Sequence, residues 1–388
     1  MARDDLSLMR GGPVFRVLHA MGLVRPDLET PTLIAIALVV VALGPPAVMA
    51  WSAGTLLPGG GAPIPLAGDY LVIGRFLFAV PALVLAASPC DRLLRAALRQ
   101  VGRGGIVLDE QRAAYDGLLA RAGRLRDSWV PELVCAVLAI APALVGAVAL
   151  GDLWHLRTWM LATDGTLTPA GAWYHAVSLS IFRFVGLIWL WRYLLWSWLL
   201  WRLARIGLRV QPTHPDGAGG LAFFANAQSR FAVMAFACGC IVAGNSLNHV
   251  VYQHVTLSSL QYLLGGWIVA ATLLLVLPLG SLCGTLLRAK RHALFKYAAI
   301  GQRASLEFDL RWKKGTSDGA ESLLDSPNPS ALADFNAVFD SIRRMRLVPV
   351  SRNVLVALAL SAALPLLPVV FVAVSFDEVV KRLLSIIV

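Results

Sequence analysis

No aspartate or glutamate lies deep in any long apolar run of this chain, and acidic residues are scarce throughout, 23 against 34 Lys and Arg. A path for cations through those runs would lack the carboxylates that such a path uses. Cysteine is also sparse. Cys90, Cys135, Cys238, Cys240 and Cys283 all fall within or beside apolar runs, which excludes a disulfide framework, and the Cys238–Cys240 spacing is neither a CxxC redox motif nor a zinc pattern. No internal repeat is visible, so the inverted repeats of many transporters have no support here. No nucleophile, metal-ligand set or Walker lysine fixes a reaction, so the chain reads as a non-enzyme with no metal and no cofactor. A b-type haem would need two facing histidines. His175 and His249 are the only pair on different runs worth naming, and both lie close to one surface.

What the chain has in excess is hydrophobicity, at 57% of residues. A bilayer core of roughly 30 Å needs about 20 apolar residues of helix, and hydrocarbon cannot satisfy an exposed backbone. Seven runs meet this requirement: Pro31–Ala53, Tyr70–Pro89, Trp129–Leu150, Ala172–Leu200, Phe231–Tyr252, Leu260–Leu287 and Val354–Phe376. Val48-Met49-Ala50 could pass as a signal-peptide cleavage site, but the first run is long enough to span and is expected to be retained. The expectation is an all-α, polytopic transmembrane bundle of about seven spans.

Lys and Arg alternate between the connecting segments. Four precede the first run, none separates the first two, eight follow the second, then one (Arg157), four, none, twelve and two. The positive-inside rule puts the N-terminus in the cytoplasm and the C-terminus outside. The net charge of +11 follows from this asymmetry and points to anionic lipid headgroups rather than nucleic acid. The organisation expected is a cytoplasmic segment at 1–30, six spans over 31–287 with a helical cytoplasmic loop at 91–128, a cytoplasmic helical subdomain at 288–352, and a seventh span with an amphipathic tail at 353–388. Val14, Phe15, Leu18 and Met21 would share one face of the first segment, lying on the inner membrane surface. Leu332, Phe335, Phe339, Ile342 and Met345 recur at helical spacing in the subdomain. Packing against neighbouring cytoplasmic helices and docking of a protein partner are both open for that face; a homo-oligomer is open too.

Three arginines lie inside runs, where charge is costly and faces a partner or a water-filled cavity. At 1.5 Å per residue, Arg75 sits roughly 9 Å inward from Asp69 and Arg183 roughly 15 Å inward from Trp173. Arg192 is nearer the cytoplasm, where Glu132 at the start of the third run is its candidate ion-pair partner. The fifth run brings Asn245, Asn248 and His249 to the outer half, with Asn245 and His249 sharing a face. Arg75, Arg183, His175, Asn245 and His249 are therefore the candidate lining of an outward-opening polar cavity suited to an anion. An internal hydrogen-bond network is the alternative reading. The functions that follow are a channel or transporter for an anionic or polar solute or, alternatively, a membrane scaffold or signalling subunit recruiting a partner through its cytoplasmic loops.

The most motif-like segment is His214-Pro-Asp-Gly-Ala-Gly-Gly-Leu221. His214 and Asp216 beside Gly217, Gly219 and Gly220 form either a structural turn or a metal or phosphate loop. This segment, with the Ser330-Ala-Leu-Ala-Asp334 helix that ends in Arg343-Arg-Met-Arg-Leu-Val-Pro349, resembles a group of uncharacterised bacterial multi-pass membrane proteins. The likeness covers about the C-terminal half. It implies a bacterial inner-membrane location and an ordered cytoplasmic subdomain, and it supplies no catalytic residues.

Overall fold

A computed structural model of the protein describes residues 6–20, 31–145, 158–314 and 327–373. Met21, Arg157, residues 315–326 and the amphipathic tail expected at 377–388 lie outside the described residues. Helices supply the regular structure. We label them α1 (Pro13–Ala20), α2 (Pro31–Ser52), α3 (Tyr70–Arg103), α4 (Arg112–Asp127), α5 (Trp129–Val145), α6 (Pro169–Ile206), α7 (Phe223–Gln253), α8 (Leu257–Leu310), α9 (Pro327–Arg344) and α10 (Arg352–Val372). Among the described residues there is no β-strand, only two isolated bridges, Ile64 with Thr158 and Leu161 with Leu167.

Six of these helices, α2, α3, α6, α7, α8 and α10, are long and apolar enough to cross a membrane. Leu33, Val40 and Val48 on α2, Leu273 and Leu274 on α8, and Leu360 and Phe371 on α10 stay exposed on their outer faces. Large apolar side chains exposed in this number would be untenable in water and form a lipid-facing belt. The third run expected from the sequence is occupied to Val145 by the 17-residue α5, and the remainder of that run lies outside the described residues.

Helix starts follow ordinary capping chemistry. Asp69 accepts from the Leu71 and Val72 amides at the start of α3, and Thr168 accepts from the Gly171 amide at the start of α6, with Pro169 as its first residue. Gly207, at φ 87°, ends α6 in the left-handed region. Both α3 and α6 contain one widened i→i+5 turn, Gly74–Ala79 and Tyr174–Ser178 respectively. Such turns are rare and cluster at functional sites.

α3 and α7 cross backbone to backbone. A Cβ on Gly74 would meet the Cys240 carbonyl oxygen at 2.6 Å, and one on Gly244 would meet the Tyr70 carbonyl oxygen at 2.5 Å. This is small-residue packing of the kind that brings membrane helices together without a hydrophobic driving force.

At the opposite end of the bundle α3 continues to Arg103 and pairs with α4, where the buried Tyr115 hydroxyl donates to the Leu98 carbonyl at 2.7 Å. The N-terminal segment does more than lie on a surface. Leu8 is fully buried, the Ser7 hydroxyl donates to Asp91 Oδ1 at 2.6 Å, and Arg126 donates to the Ser7 carbonyl at 2.6 Å. Glu132 Oε2 accepts from the Val14 amide at 2.7 Å, while Glu132 Oε1 pairs with Arg192 at 3.0 Å. Arg192 also donates to the Gly11 carbonyl at 2.8 Å, so one buried ion pair fastens α1, α5 and α6 together.

Candidate functional site

The widened turns of α3 and α6 face each other, and the side chains they carry meet. Arg75, from the first, donates through Nη1 to the Tyr174 hydroxyl of the second at 2.7 Å. The Arg75 guanidinium lies over the Phe182 ring, 5.7 Å from its centroid, and Tyr174 packs edge-on against Phe76 and Trp159. A cavity of about 570 Å³ opens beside this contact. Its polar lining includes Asp69, Arg75, Tyr174, His175, Arg183 and Asn248. Leu71, Leu161, Leu179 and Phe182 contribute apolar wall.

Asp69 brings a carboxylate that the sequence reading did not assign to the site. It is already committed: Oδ1 accepts from the Leu71 and Val72 amides and from Asn248 Nδ2, and Oδ2 accepts from Trp159 Nε1. Asn248 returns the favour to the backbone by accepting from the Tyr70 amide at 3.0 Å. The guanidinium groups differ in this respect. Arg75 Nε and Arg183 Nη1 are enclosed by protein without a hydrogen-bond acceptor among the described residues. Two cations with donors to spare, set against one carboxylate, give the cavity a positive character and room for acceptor atoms.

Of the five candidate lining residues, Arg75, His175 and Arg183 line the cavity together. Asn245 and His249 do not line it, and His249 Nδ1 sits 2.6 Å from Gln253 Oε1. α7 presents Asn248 to the cavity, and at about 100° per residue that stripe differs from the one carrying Asn245 and His249. The pair of histidines that a haem would bridge is thereby split between the cavity and its outside. Among the described residues no group of three or more His, Cys, Asp or Glu side chains is placed to hold a metal. Asp69 could have been found from sequence as an N-cap immediately before an apolar run; the widened turns leave no comparable mark.

The His214–Leu221 loop is a structural turn knitted around Asp216. Its Oδ1 accepts from the Ala218 and Gly220 amides at 2.8 and 3.0 Å, its Oδ2 accepts from the Ala222 amide at 3.0 Å, and His214 Nδ1 lies 3.0 Å from Oδ1. Gly217, Gly219 and Gly220 have φ of 62°, 65° and 88°, and a Cβ on Gly219 would collide with Val210. Arg346 locks the loop from outside, donating through Nη2 to the Asp216 carbonyl at 2.6 Å and through its amide to the Gly217 carbonyl at 2.9 Å. Burial alone would raise the Asp216 pKa, but the three amides and the His214 ring outweigh it and hold the carboxyl below its ordinary value.

A carboxyl whose folded-state pKa is depressed stabilises the fold above its unfolded pKa and loses that contribution as pH falls through the folded value. Asp216→Asn should therefore cost about 1–2 kcal/mol near neutrality, the range of a lost helix cap. The gap to the parent protein should close as the pH drops below about 4. Thermal unfolding in detergent across that range checks it; a gap that stays constant with pH would show that the charge contributes nothing.

Comparison of the chain with protein-family models, with curated proteins and with solved structures finds no match in any of the three.

Proposed function

We propose that the chain is a seven-span bacterial inner-membrane protein whose cavity binds an anionic or polar solute in the outer half of the membrane, as the recognition step of transport. α5 supplies the seventh span in this reading. Its exposed Val130, Leu133, Val134, Val137 and Leu138 would face lipid, and its buried Cys135 and Ala139 face inward. The alternation of basic residues puts the N-terminus inside and the cavity outside. The observation that carries the binding reading is the pair Arg75 and Arg183, whose buried donors lack acceptors among the described residues, beside a single carboxylate that already takes four hydrogen bonds from other groups. Between the cavity and the opposite end of the bundle lies packed aromatic and aliphatic structure around Trp189, Tyr193 and Phe231, which suits a site open to one side at a time.

The test is equilibrium binding of short carboxylates and phosphate monoesters to the protein in nanodiscs, followed by flux in proteoliposomes. Arg75→Gln or Arg183→Gln should each weaken binding roughly 10- to 100-fold, the worth of one hydrogen bond to a charged group. Flux that survives both substitutions together would remove these residues from the mechanism.

A second reading, a scaffold that recruits a partner at the cytoplasmic face, draws on one feature of α8. Phe295, Leu306 and Leu310 are 81%, 55% and 58% exposed on a shared face of its extension beyond the apolar stretch.

A further inference from the structure

The cavity beside Arg75 and Arg183 has more apolar wall than an inorganic anion or a very short acid could cover. Leu71 of α3 and Leu179 and Phe182 of α6 supply part of it, Ile64 comes from the segment before α3, and Leu161 and Leu167 come from the segment before α6. Those two segments are tied to each other and folded back on themselves. The Trp159 amide donates to the Ile64 carbonyl at 3.0 Å, and the Ala162 amide donates to the Thr166 carbonyl at 2.8 Å across a turn in which Gly165 has φ 80°. An antiparallel bridge sets Leu161 opposite Leu167. These loops stand where α3 and α6 begin, whereas Arg183 lies roughly 20 Å along α6 from Pro169. The cavity therefore runs from a loop-lined mouth inward to the guanidiniums. Gly165 and Thr166, which also line it, are exposed and give the mouth a polar edge that faces water.

Resting on the binding reading above, we propose that the ligand is a water-borne monocarboxylate with an apolar body, its carboxylate against Arg75 and Arg183 and its body directed outward along Leu71, Leu161 and Leu167. Arg75 commits Nη1 to the Tyr174 hydroxyl, and neither guanidinium has an ion-pair partner among the described residues. Two guanidiniums and the Asp69 carboxylate in one cavity leave a single positive charge, which one carboxylate cancels. Its two oxygens can accept from both arginines. A second charge on the ligand would have to leave water for an apolar wall with nothing to pair it. At about 570 Å³ the cavity has the size that encloses a whole small molecule, and its apolar side offers water few partners. A solute arriving from water gains hydrophobic free energy for each methylene laid on that wall.

The test is equilibrium dialysis of radiolabelled acetate, butyrate and hexanoate against the full-length protein in nanodiscs, with empty nanodiscs as the blank. Affinity should rise about two- to fourfold with each added methylene, fourfold corresponding to a methylene fully withdrawn from water. Hexanedioate, the same chain with a second carboxylate, should bind no more tightly than acetate, and hexan-1-ol about tenfold more weakly than hexanoate. Leu161→Asn combined with Leu167→Asn should shrink the hexanoate-to-acetate ratio several-fold, whereas Leu273→Asn, on the exposed face of α8, should leave that ratio as it was. Acetate and hexanoate bound equally well, and both weakened by Arg183→Gln, would overturn this proposal and leave the anion site standing. Hexanedioate bound as tightly as hexanoate would overturn it in the same way. Absence of saturable binding by every acid would remove the anion site and this proposal together. The chain-length series in the unmodified protein needs no variant to fold.

Discussion

Glu132→Gln is expected to lower the stability of the protein by about 3–5 kcal/mol, the cost of leaving one member of a buried ion pair uncompensated. The side chains of Glu132 and Arg192 are only 4% and 3% exposed, and Arg192 Nε and Nη1 have no acceptor among the described residues even with Glu132 in place. Removing the carboxylate charge leaves a buried guanidinium with the neutral Gln oxygen and the Gly11 carbonyl as acceptors and no paired charge beside it. The double variant Glu132→Leu, Arg192→Met should recover most of that loss, because replacing both charges with apolar groups of similar size is often neutral or stabilising. One property should not recover. Glu132 also accepts the Val14 amide, so α1 should loosen in the single and double variants alike while Ser7 and Leu8 keep the start of the segment anchored. Thermal unfolding in detergent reads the stability, and limited proteolysis within residues 6–20 reads the loosening. A single variant within about 0.5 kcal/mol of the parent would mean that the pair is solvated rather than buried.

Gly244→Val should be nearly as damaging, by about 3 kcal/mol, at the upper end of what overpacking ordinarily costs. The added Cβ would lie 2.5 Å from the Tyr70 carbonyl oxygen and 2.7 Å from Leu71 Cα. These are backbone atoms, and no rotamer change can move them aside. Relief requires α3 and α7 to separate, which also parts Asn248 from Asp69 and the Tyr70 amide and so opens the wall of the cavity beside Arg75. Gly244→Val should therefore lose solute binding along with stability, whereas Gly265→Val, where an added Cβ meets nothing within 4 Å, serves as a control within the apolar part of α8. Retained binding with unchanged melting would refute the close crossing.

Spanning helices were legible in the sequence because hydrocarbon imposes one strong requirement, an apolar helix of sufficient length, and six of the expected runs coincide with helices that meet it. Intramembrane arginines were legible for the same reason, since charge there is too expensive to be incidental. Which way each helix turns is a matter of packing. On α7 the sequence offered Asn245, Asn248 and His249 within two turns, and nothing in their types said that Asn248 would reach the cavity. The position of Asp69 just before an apolar run marks it as a helix cap, but not its bonds to Asn248 and Trp159, which come from distant parts of the chain. The fastening of the N-terminal segment was hidden as well. Gly11 and Gly12 adopt φ of 137° and 91° and leave space filled by Arg126 and Glu132, partners more than a hundred residues away.

Each widened turn accommodates one residue more than an ordinary turn would, so the stretch of helix after it is rotated by about 100° relative to a continuous α-helix. A helical wheel drawn through the whole of α3 or α6 is thus correct on only one side of Gly74–Ala79 or Tyr174–Ser178. Losing one residue within such a turn would preserve the hydrogen-bond ladder and yet swing half the helix toward the wrong neighbours.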